Sequence, residues 1–327
     1  MLDRVVEITG KGRYLTRHRG FLVVSDQDQE IGRVALSDIG VLIVNAYGVT
    51  YSHSLLVTLA ENNIPTVLCD VNHMPVAWIW PAETNHIQAQ RIDAQLNAKT
   101  PMKKRLWQQI VRKKIVFQAQ LLEHLGKESI GLHRLSSKVL SGDPKNVEAQ
   151  AARRYWRILF GEGFRRDRKA GQLNAQLNYG YTVLRSTLAR GILAAGLHPT
   201  PALNHTNKYN AYRLADDLME IYRVVVDWKV YSNAQKGKVE LTKEVKAGLV
   251  DILYHPMVYK TDVKSLVNSS SRLATSLVHV FQMQRNKLLL PEKIDYANEL
   301  VSHNAERIPI DVDIIDVRPA GKYEEGA

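Results

Sequence analysis

The stretch VAWIWPAETNHIQAQRIDAQLNA, Val76–Ala98, is where the chain changes its period. Val76 to Trp80 reads as a strand, Pro81 breaks it, and Ile87 to Ala98 carries apolar residues at the three- and four-residue spacing of a helix. Before Pro81 the pattern has period two; beyond it, helical spacing dominates almost to Pro291. The expected fold class is α+β in two domains. A small β-rich, β-sandwich-like domain spans 1–81, a larger all-α domain spans 82–292, and 293–327 forms a C-terminal segment with a mobile tail.

Working outward toward the start, Val5 to Thr9, Gly12 to Thr16, Phe21 to Ser25 and Ile31 to Leu36 read as short strands punctuated by turns. Val41-Leu42-Ile43-Val44 is apolar throughout, as a strand buried on both faces would be. Ser52 to Asn62 is the one helix expected here, with Leu55, Leu56 and Leu59 at helical spacing and Asn62-Asn63 before Pro65 ending it. Val67 to Cys69 adds a strand, and Cys69 reads as a small core residue.

Toward the end, Ile87 to Ala98, Met102 to Leu125, Val147 to Phe160, Ala175 to Ala195 and Tyr212 to Trp228 read as helices. Gly142-Asp143-Pro144 and Gly196-Leu197-His198-Pro199 are helix-stop punctuation between them. No fixed repeat period is present.

The charge balance, 44 Lys+Arg against 33 Asp+Glu, gives a net charge of +11. Such a surface favours nucleic acid or an anionic membrane. The basic helices lack a broad lipid-facing apolar surface, which leaves a membrane role poorly supported. A single cysteine excludes an internal disulfide and a thiolate-rich zinc site. Strand-like residues follow Met1-Leu2-Asp3-Arg4 where a signal peptide would be apolar, so the expected location is cytoplasmic.

Against this basic background a few acids and one histidine stand out. Glu148 follows Asn146, a suitable N-cap, on a helix whose core line is Val147, Ala151, Tyr155 and Ile158. Its side chain lies at the margin of that line; a glutamate stabilised by the helix dipole is the simpler account. Asp217 and Glu220 share one flank of the Tyr212–Trp228 helix beside the apolar stripe Leu214, Leu218, Ile221 and Val225, whereas Asp216 points nearly the opposite way. An Arg213–Asp217 ion pair on a solvated patch is the alternative. His205 lies in the proline-bearing loop 199–207, where a surface hydrogen-bonder is the ordinary role.

These segments together resemble the CRISPR-associated spacer integrases, the endonuclease subunit of CRISPR adaptation, in the type II form. The resemblance rests on Val147 to Trp156, Leu177-Asn178-Tyr179-Gly180-Tyr181, the loop Gly196 to His205, and Leu214 to Arg223, and it extends over nearly the whole chain. Val224 stands where the family commonly has a proline after the arginine. The resemblance implies that Glu148, His205 and Glu220 are catalytic and bind a divalent metal, Mg²⁺ or Mn²⁺, with Asp217 a supporting or additional acid. It also implies an N-terminal domain that pairs two subunits, and a small CRISPR adaptation partner protein bridging two such dimers. The implied reaction inserts short duplex DNA into a repeat array by attack of a DNA 3′-hydroxyl on a phosphodiester.

Sequence-independent phosphate contacts would hold double-stranded DNA, both prespacer and repeat. The candidates are Arg153, Arg154, Arg157, Arg165, Arg166, Arg168 and Lys169 after Glu148, and Lys103, Lys104 and Arg105 on the helix that also bears Arg112-Lys113-Lys114. Trp107, Tyr155 and Trp156 are either base-stacking groups or core. Two other readings stay open: a metal-dependent nuclease acting on branched DNA, and a DNA-binding scaffold whose acids are surface charges.

Overall fold

Alternating and all-apolar runs form the first eight strands of the computed structural model, which describes residues 4–27, 29–69, 75–82, 87–167, 171–296 and 314–315. They are β1 (Arg4–Ile8), β2 (Arg13–His18), β3 (Phe21–Asp26), β4 (Gln29–Ala35), β5 (Ile39–Val44), β6 (Thr50–Tyr51), β7 (Thr66–Cys69) and β8 (Pro75–Ile79). The β2–β3 hairpin closes through Arg19 and Gly20, both at positive φ (45° and 83°), the two-residue turn whose twist matches its strands. β5 is buried along its whole length, as its unbroken apolar run requires.

One sheet runs β4-β3-β2-β6; β1, β5, β7 and β8 lie side by side in another. The first helix, α1 (His53–Glu61), is capped by Ser52, whose hydroxyl accepts from the Leu55 N–H. Both sheets and the helix supply one core, including Val6, Ile8, Leu15, Leu22, Val24, Val34, Leu42, Val44, Leu55 and Leu59. Cys69, expected inside this core, is half-buried at the end of β7.

Beyond residue 84 the helices are α2 (Gln88–Leu96), α3 (Thr100–His124), α4 (Ile130–Ser137), α5 (Val147–Phe160), α6 (Gln172–Ala194), α7 (Arg213–Met219), α8 (Arg223–Gln235), α9 (Lys243–Asp251) and α10 (Leu266–Phe281). Among them lie three short strands that periodicity does not reveal: β9 (Pro256–Val258), β10 (Val263–Ser265) and β11 (Lys293–Ile294), in the order β10-β9-β11. Two- and three-residue strands carry too few side chains to show an alternation. A last strand, β12 (Ile314–Ile315), pairs antiparallel with β1 and completes the first sheet as β12-β1-β5-β7-β8. The chain thus forms two compact units, 1–83 with 301–327, and 84–300. The tail expected to be mobile, 321–327, lies outside the described residues. Among the described residues no helix is long and apolar enough to cross a membrane.

One expected helix is two. The run 212–228 breaks at Glu220-Ile221-Tyr222, where the Tyr222 N–H donates to the Met219 carbonyl at 2.9 Å and the Val225 N–H to the Tyr222 carbonyl at 3.0 Å. These three-residue spacings tighten the turn and end the four-residue ladder. The apolar stripe still buries on both sides of the break, since Leu214, Leu218, Ile221 and Val225 are all inaccessible.

The long helix α6 crosses α8 at Gly180. A Cβ built there meets Val226 Cγ1 at 2.5 Å and Leu249 Cδ2 at 3.4 Å, so only glycine lets the helices approach this closely. Val226 is β-branched and stiff at χ1, and cannot step aside. Gly180→Ala is therefore expected to destabilise the protein by roughly 1–3 kcal/mol, read from the urea midpoint, despite the better helix propensity of alanine. An unchanged or higher midpoint contradicts the close approach.

Candidate active site

Glu148 is delivered by the start of α5. Gly142, Asp143 and Asn146 all take positive φ, folding the chain so that Asp143 accepts from the Val147 and Glu148 N–H groups at 2.9 Å each. Asn146 caps the helix as expected, its side chain accepting from the Ala149 N–H. The buried line on α5 is Val147, Ala151, Tyr155 and Leu159; Leu159 replaces the expected Ile158 because successive steps of four continue along one face.

The loop bearing His205 is tied down from two sides. Gln95 on α2 is fully buried, donates to the His198 and Pro201 carbonyls at 2.8 and 3.0 Å, and accepts from the His198 N–H at 2.9 Å. Asp217, also inaccessible, accepts from the N–H groups of Leu203, Asn204 and His205 at 2.6, 3.0 and 3.3 Å. Its Oδ1 also lies 2.5 Å from His205 Nδ1. That contact fixes the imidazole and leaves Nε2 as the ring nitrogen for a ligand. The hydrogen bond that the imidazole donates to Asp217 raises its pKa above the ordinary value, burial opposing it. Asp216, one residue away, turns to Arg185 (2.7 and 3.1 Å) and Asn210 (2.6 Å).

Glu220 sits at the break between α7 and α8, only 5% exposed. Its Oε1 accepts from Arg223 Nη1 at 2.7 Å. Its Oε2 lies 2.6 Å from Lys114 Nζ, and the same Nζ donates to Glu148 Oε1 at 2.6 Å. Two glutamates that are 72 positions apart in the sequence thus converge on one ammonium. Burial disfavours the Lys114 charge, but Glu220 and then Glu148 outweigh it and raise its pKa. Burial likewise works against the Glu220 charge, and Arg223, then Lys114, hold its carboxyl well below the usual range.

Behind Arg223 lies a buried polar wall that the sequence did not announce. The guanidinium stands 4.3 Å from the centre of the Tyr181 ring. The Tyr181 hydroxyl donates to Asp227 Oδ1, and the Tyr155 hydroxyl donates to Asp227 Oδ2 at 3.0 Å. Asp227 is 1% exposed, and burial pushes its carboxyl up to about 6 against both tyrosines and Arg223.

The basic candidates divide. A cleft of about 1000 Å³ is lined by Arg134, Lys138, Arg153, Arg154 and Arg157, with Glu128 and Glu162 also in its wall. Arg154 pairs with Glu128 (2.8 Å) and Arg157 with Glu162 (2.6 Å), while Arg153 is exposed. Arg165 is exposed. Arg166 donates to Asn174 and Asn178 at 2.8 and 2.7 Å and stands over the Tyr181 ring, so it braces α6. Lys104 and Arg105 are exposed and Lys103 half-buried; Arg168 and Lys169 lie outside the described residues. In the run 112–114, Arg112 donates to the Val139 carbonyl and Lys114 is buried. Trp107 and Tyr155 are core, and Trp156 stacks on Phe160.

Among the described residues, no three His, Cys, Asp or Glu side chains are gathered closely enough to hold a metal ion. The donor chemistry nevertheless fits one. Two carboxylates already share a cation, Glu220 Oε2 is buried with a charged neighbour but no well-angled hydrogen bond, and His205 has the carboxylate backing typical of a ligand.

The family model described as CRISPR associated protein Cas1 matches residues 6–249. The CRISPR-associated endonuclease Cas1 of Neisseria meningitidis serogroup C is 35% identical over 298 residues, covering 89% of this chain and 97% of its own. Among solved structures, a casposase bound to its integration product superposes with a TM-score of 0.74 at 18% identity, covering 87% of this chain and 92% of its own. A chain of a Cas6-RT-Cas1–Cas2 complex gives 0.70 at 20% identity, covering 87% of this chain and 35% of that longer one. At these identities the structural likeness establishes a shared fold.

The Asp227 carboxyl has a measurable signature. An acid whose folded value is raised, here from 3.8 to about 6, supports folding while protonated, and that support is lost as pH rises through this window. The displacement corresponds to an effect on the order of 3 kcal/mol. Asp227→Asn, uncharged throughout, lacks the dependence. The difference in denaturant midpoint between the two proteins should therefore change steadily from pH 4 to pH 6 and level off above it; parallel curves contradict the assignment.

Proposed function

The chain belongs to the Cas1 family of CRISPR-associated proteins, and we propose that it is a divalent-metal-dependent DNA endonuclease and integrase of CRISPR adaptation. In the proposed reaction a DNA 3′-hydroxyl attacks a phosphodiester at a repeat boundary and displaces another 3′-oxygen. The observation that carries this reading is the convergence of Glu148 and Glu220 on one cation, with His205 held by Asp217 in the adjoining loop. The endonuclease name of the Neisseria relative and the integration product bound by the casposase support the same reaction class.

Glu148, Glu220 and His205 Nε2 would hold Mg²⁺ or Mn²⁺. When bound, such an ion supplies positive charge to the phosphoryl oxygen and to the entering or leaving oxyanion. Asp217 orients the imidazole and keeps the loop closed on α7. Arg223 occupies the far oxygen of Glu220 and sets its direction. The attacking group belongs to the DNA, so no protein serine or cysteine is required.

Arg134, Lys138 and Arg153 in the basic cleft suit phosphate contacts, joined by Lys103, Lys104, Arg105, Arg154, Arg157, Arg165, Arg168 and Lys169. We assign Arg166 to bracing instead. The N-terminal strand-rich unit is the proposed dimerisation surface, and a Cas2-type protein, present in the complex of the structural neighbour, is the proposed bridge between two dimers.

Glu220→Gln and His205→Ala should each lower strand joining by on the order of 10²–10³-fold with Mg²⁺ or Mn²⁺ supplied. Binding of a labelled duplex should change little. Near wild-type joining on a supercoiled repeat-bearing plasmid would remove these residues from the reaction. Free 5′-phosphate ends in place of joined strands would favour hydrolysis of branched DNA. Arg134→Ala with Arg153→Ala should flatten the salt dependence of duplex affinity by about 0.9 log units for each phosphate that is no longer neutralised, and an unchanged slope excludes the cleft as the DNA track.

A further inference from the structure

The residue at the centre of the site is a lysine. Lys114 sits on α3 at the position that continues the core line Leu106 and Ile110 and precedes Gln118, and it is 8% exposed. Its Nζ stands 2.6 Å from an oxygen of each glutamate, at the point on which the two side chains converge. A Mg²⁺ ion gripped by the same two oxygens lies at roughly 2.0–2.1 Å from each. Two cations cannot share that point.

Glu220 has two positively charged neighbours, and they are anchored differently. Arg223 takes Oε1 in a hydrogen bond and stands over the Tyr181 ring, so it is held from both sides. Lys114 forms a hydrogen bond with Glu148, while Glu220 Oε2 receives its charge without a well-angled hydrogen bond. Its ammonium is a point charge on a flexible four-carbon stem, which can retract where a planar guanidinium cannot.

Resting on the assignment of Glu148 and Glu220 as ligands, we propose that Lys114 is a positioning residue, a resident and displaceable counter-cation for the divalent metal. It holds the carboxylates together before metal arrives, and metal loading is a cation exchange in which Nζ withdraws from Glu220. The unloaded pair is thereby kept from repelling itself apart, and the site loads only when free metal is sufficient to displace the ammonium. Lys114 thus sets both the order of the unloaded site and its metal threshold.

The test uses the full chain without DNA. Lys114→Met keeps the stem and removes the charge. An opposite charge this close lowers the proton affinity of a carboxylate by about 1–3 log units, and an arriving metal cation meets the same repulsion. Mn²⁺ affinity, measured by electron paramagnetic resonance, should accordingly tighten by about tenfold or more. The melting temperature in EDTA should fall, and the rise on adding Mn²⁺ should exceed that of the wild type. In the wild-type protein the ¹⁵N signal of the Lys114 ammonium should shift at saturating Mg²⁺, a measurement that stands even if the variant fails to fold. Unchanged or weaker Mn²⁺ affinity in Lys114→Met, or an undisturbed ammonium signal, overturns the exchange. Glu148→Gln and Glu220→Gln separate the exchange from the metal assignment beneath it. If they abolish Mn²⁺ binding while Lys114→Met gains none, only the exchange falls; if they bind Mn²⁺ like the wild type, the metal assignment falls with it.

Discussion

The Lys114 ammonium, bonded to Glu148 and in ion contact with Glu220, is the constraint around which the helical unit is organised. It joins the middle of α3, the first turn of α5 and the break between α7 and α8. A buried ammonium is tolerated only with opposite charges in contact, and removing one partner of such a pair typically costs about 3–5 kcal/mol. The three segments are therefore obliged to meet. The left-handed turn that starts α5 and the tight turn at Glu220 are the local distortions that let them do so.

The sequence is readable wherever a signal is local. The change of period at Pro81, the Ser52 and Asn146 caps, and the limits of α5 are each written in a few adjacent residues. The helix break at 220–222 is not legible there, because the apolar stripe runs through it and no glycine or proline marks it; the break follows from where Glu220 and Tyr222 find partners in distant segments. Tyr222 bonds Ser269, 47 positions away, which no window of local sequence contains.

Lys114 carries a signal that the basic run around it hides. Within Arg112-Lys113-Lys114 it looks like one more member of a basic face. Yet its spacing of four from Ile110 and from Gln118 puts it on the buried side of α3, whereas Arg112 falls outside that line and is exposed. A charge on an apolar line predicts a buried partner. The same rule applied to α8 flags Asp227, which lies between Val226 and Trp228 and answers to two tyrosines from α5 and α6. Asp216 and Asp217 make the complementary point. Adjacent on one helix, they stand about 100° apart rather than on nearly opposite sides as expected, and both are buried but serve different neighbours, Arg185 and the histidine loop.

The same geometry separates a buried back from a more exposed front. Asp227, Tyr155 and Tyr181 are buried and mutually bonded, and through Arg223 they fix the far side of Glu220. Glu148 and His205, by contrast, keep 24% and 40% of their side chains exposed. In the proposed reaction the nucleophile and leaving group both belong to DNA, so the protein would have only to fix charges and hold the backbone in line. That task favours a site whose second wall cannot relax when an ion enters the first. Asp227, accepting from both tyrosine hydroxyls, gives the buried wall a hydrogen-bonded polar network of the kind that specifies one arrangement where apolar packing would tolerate several.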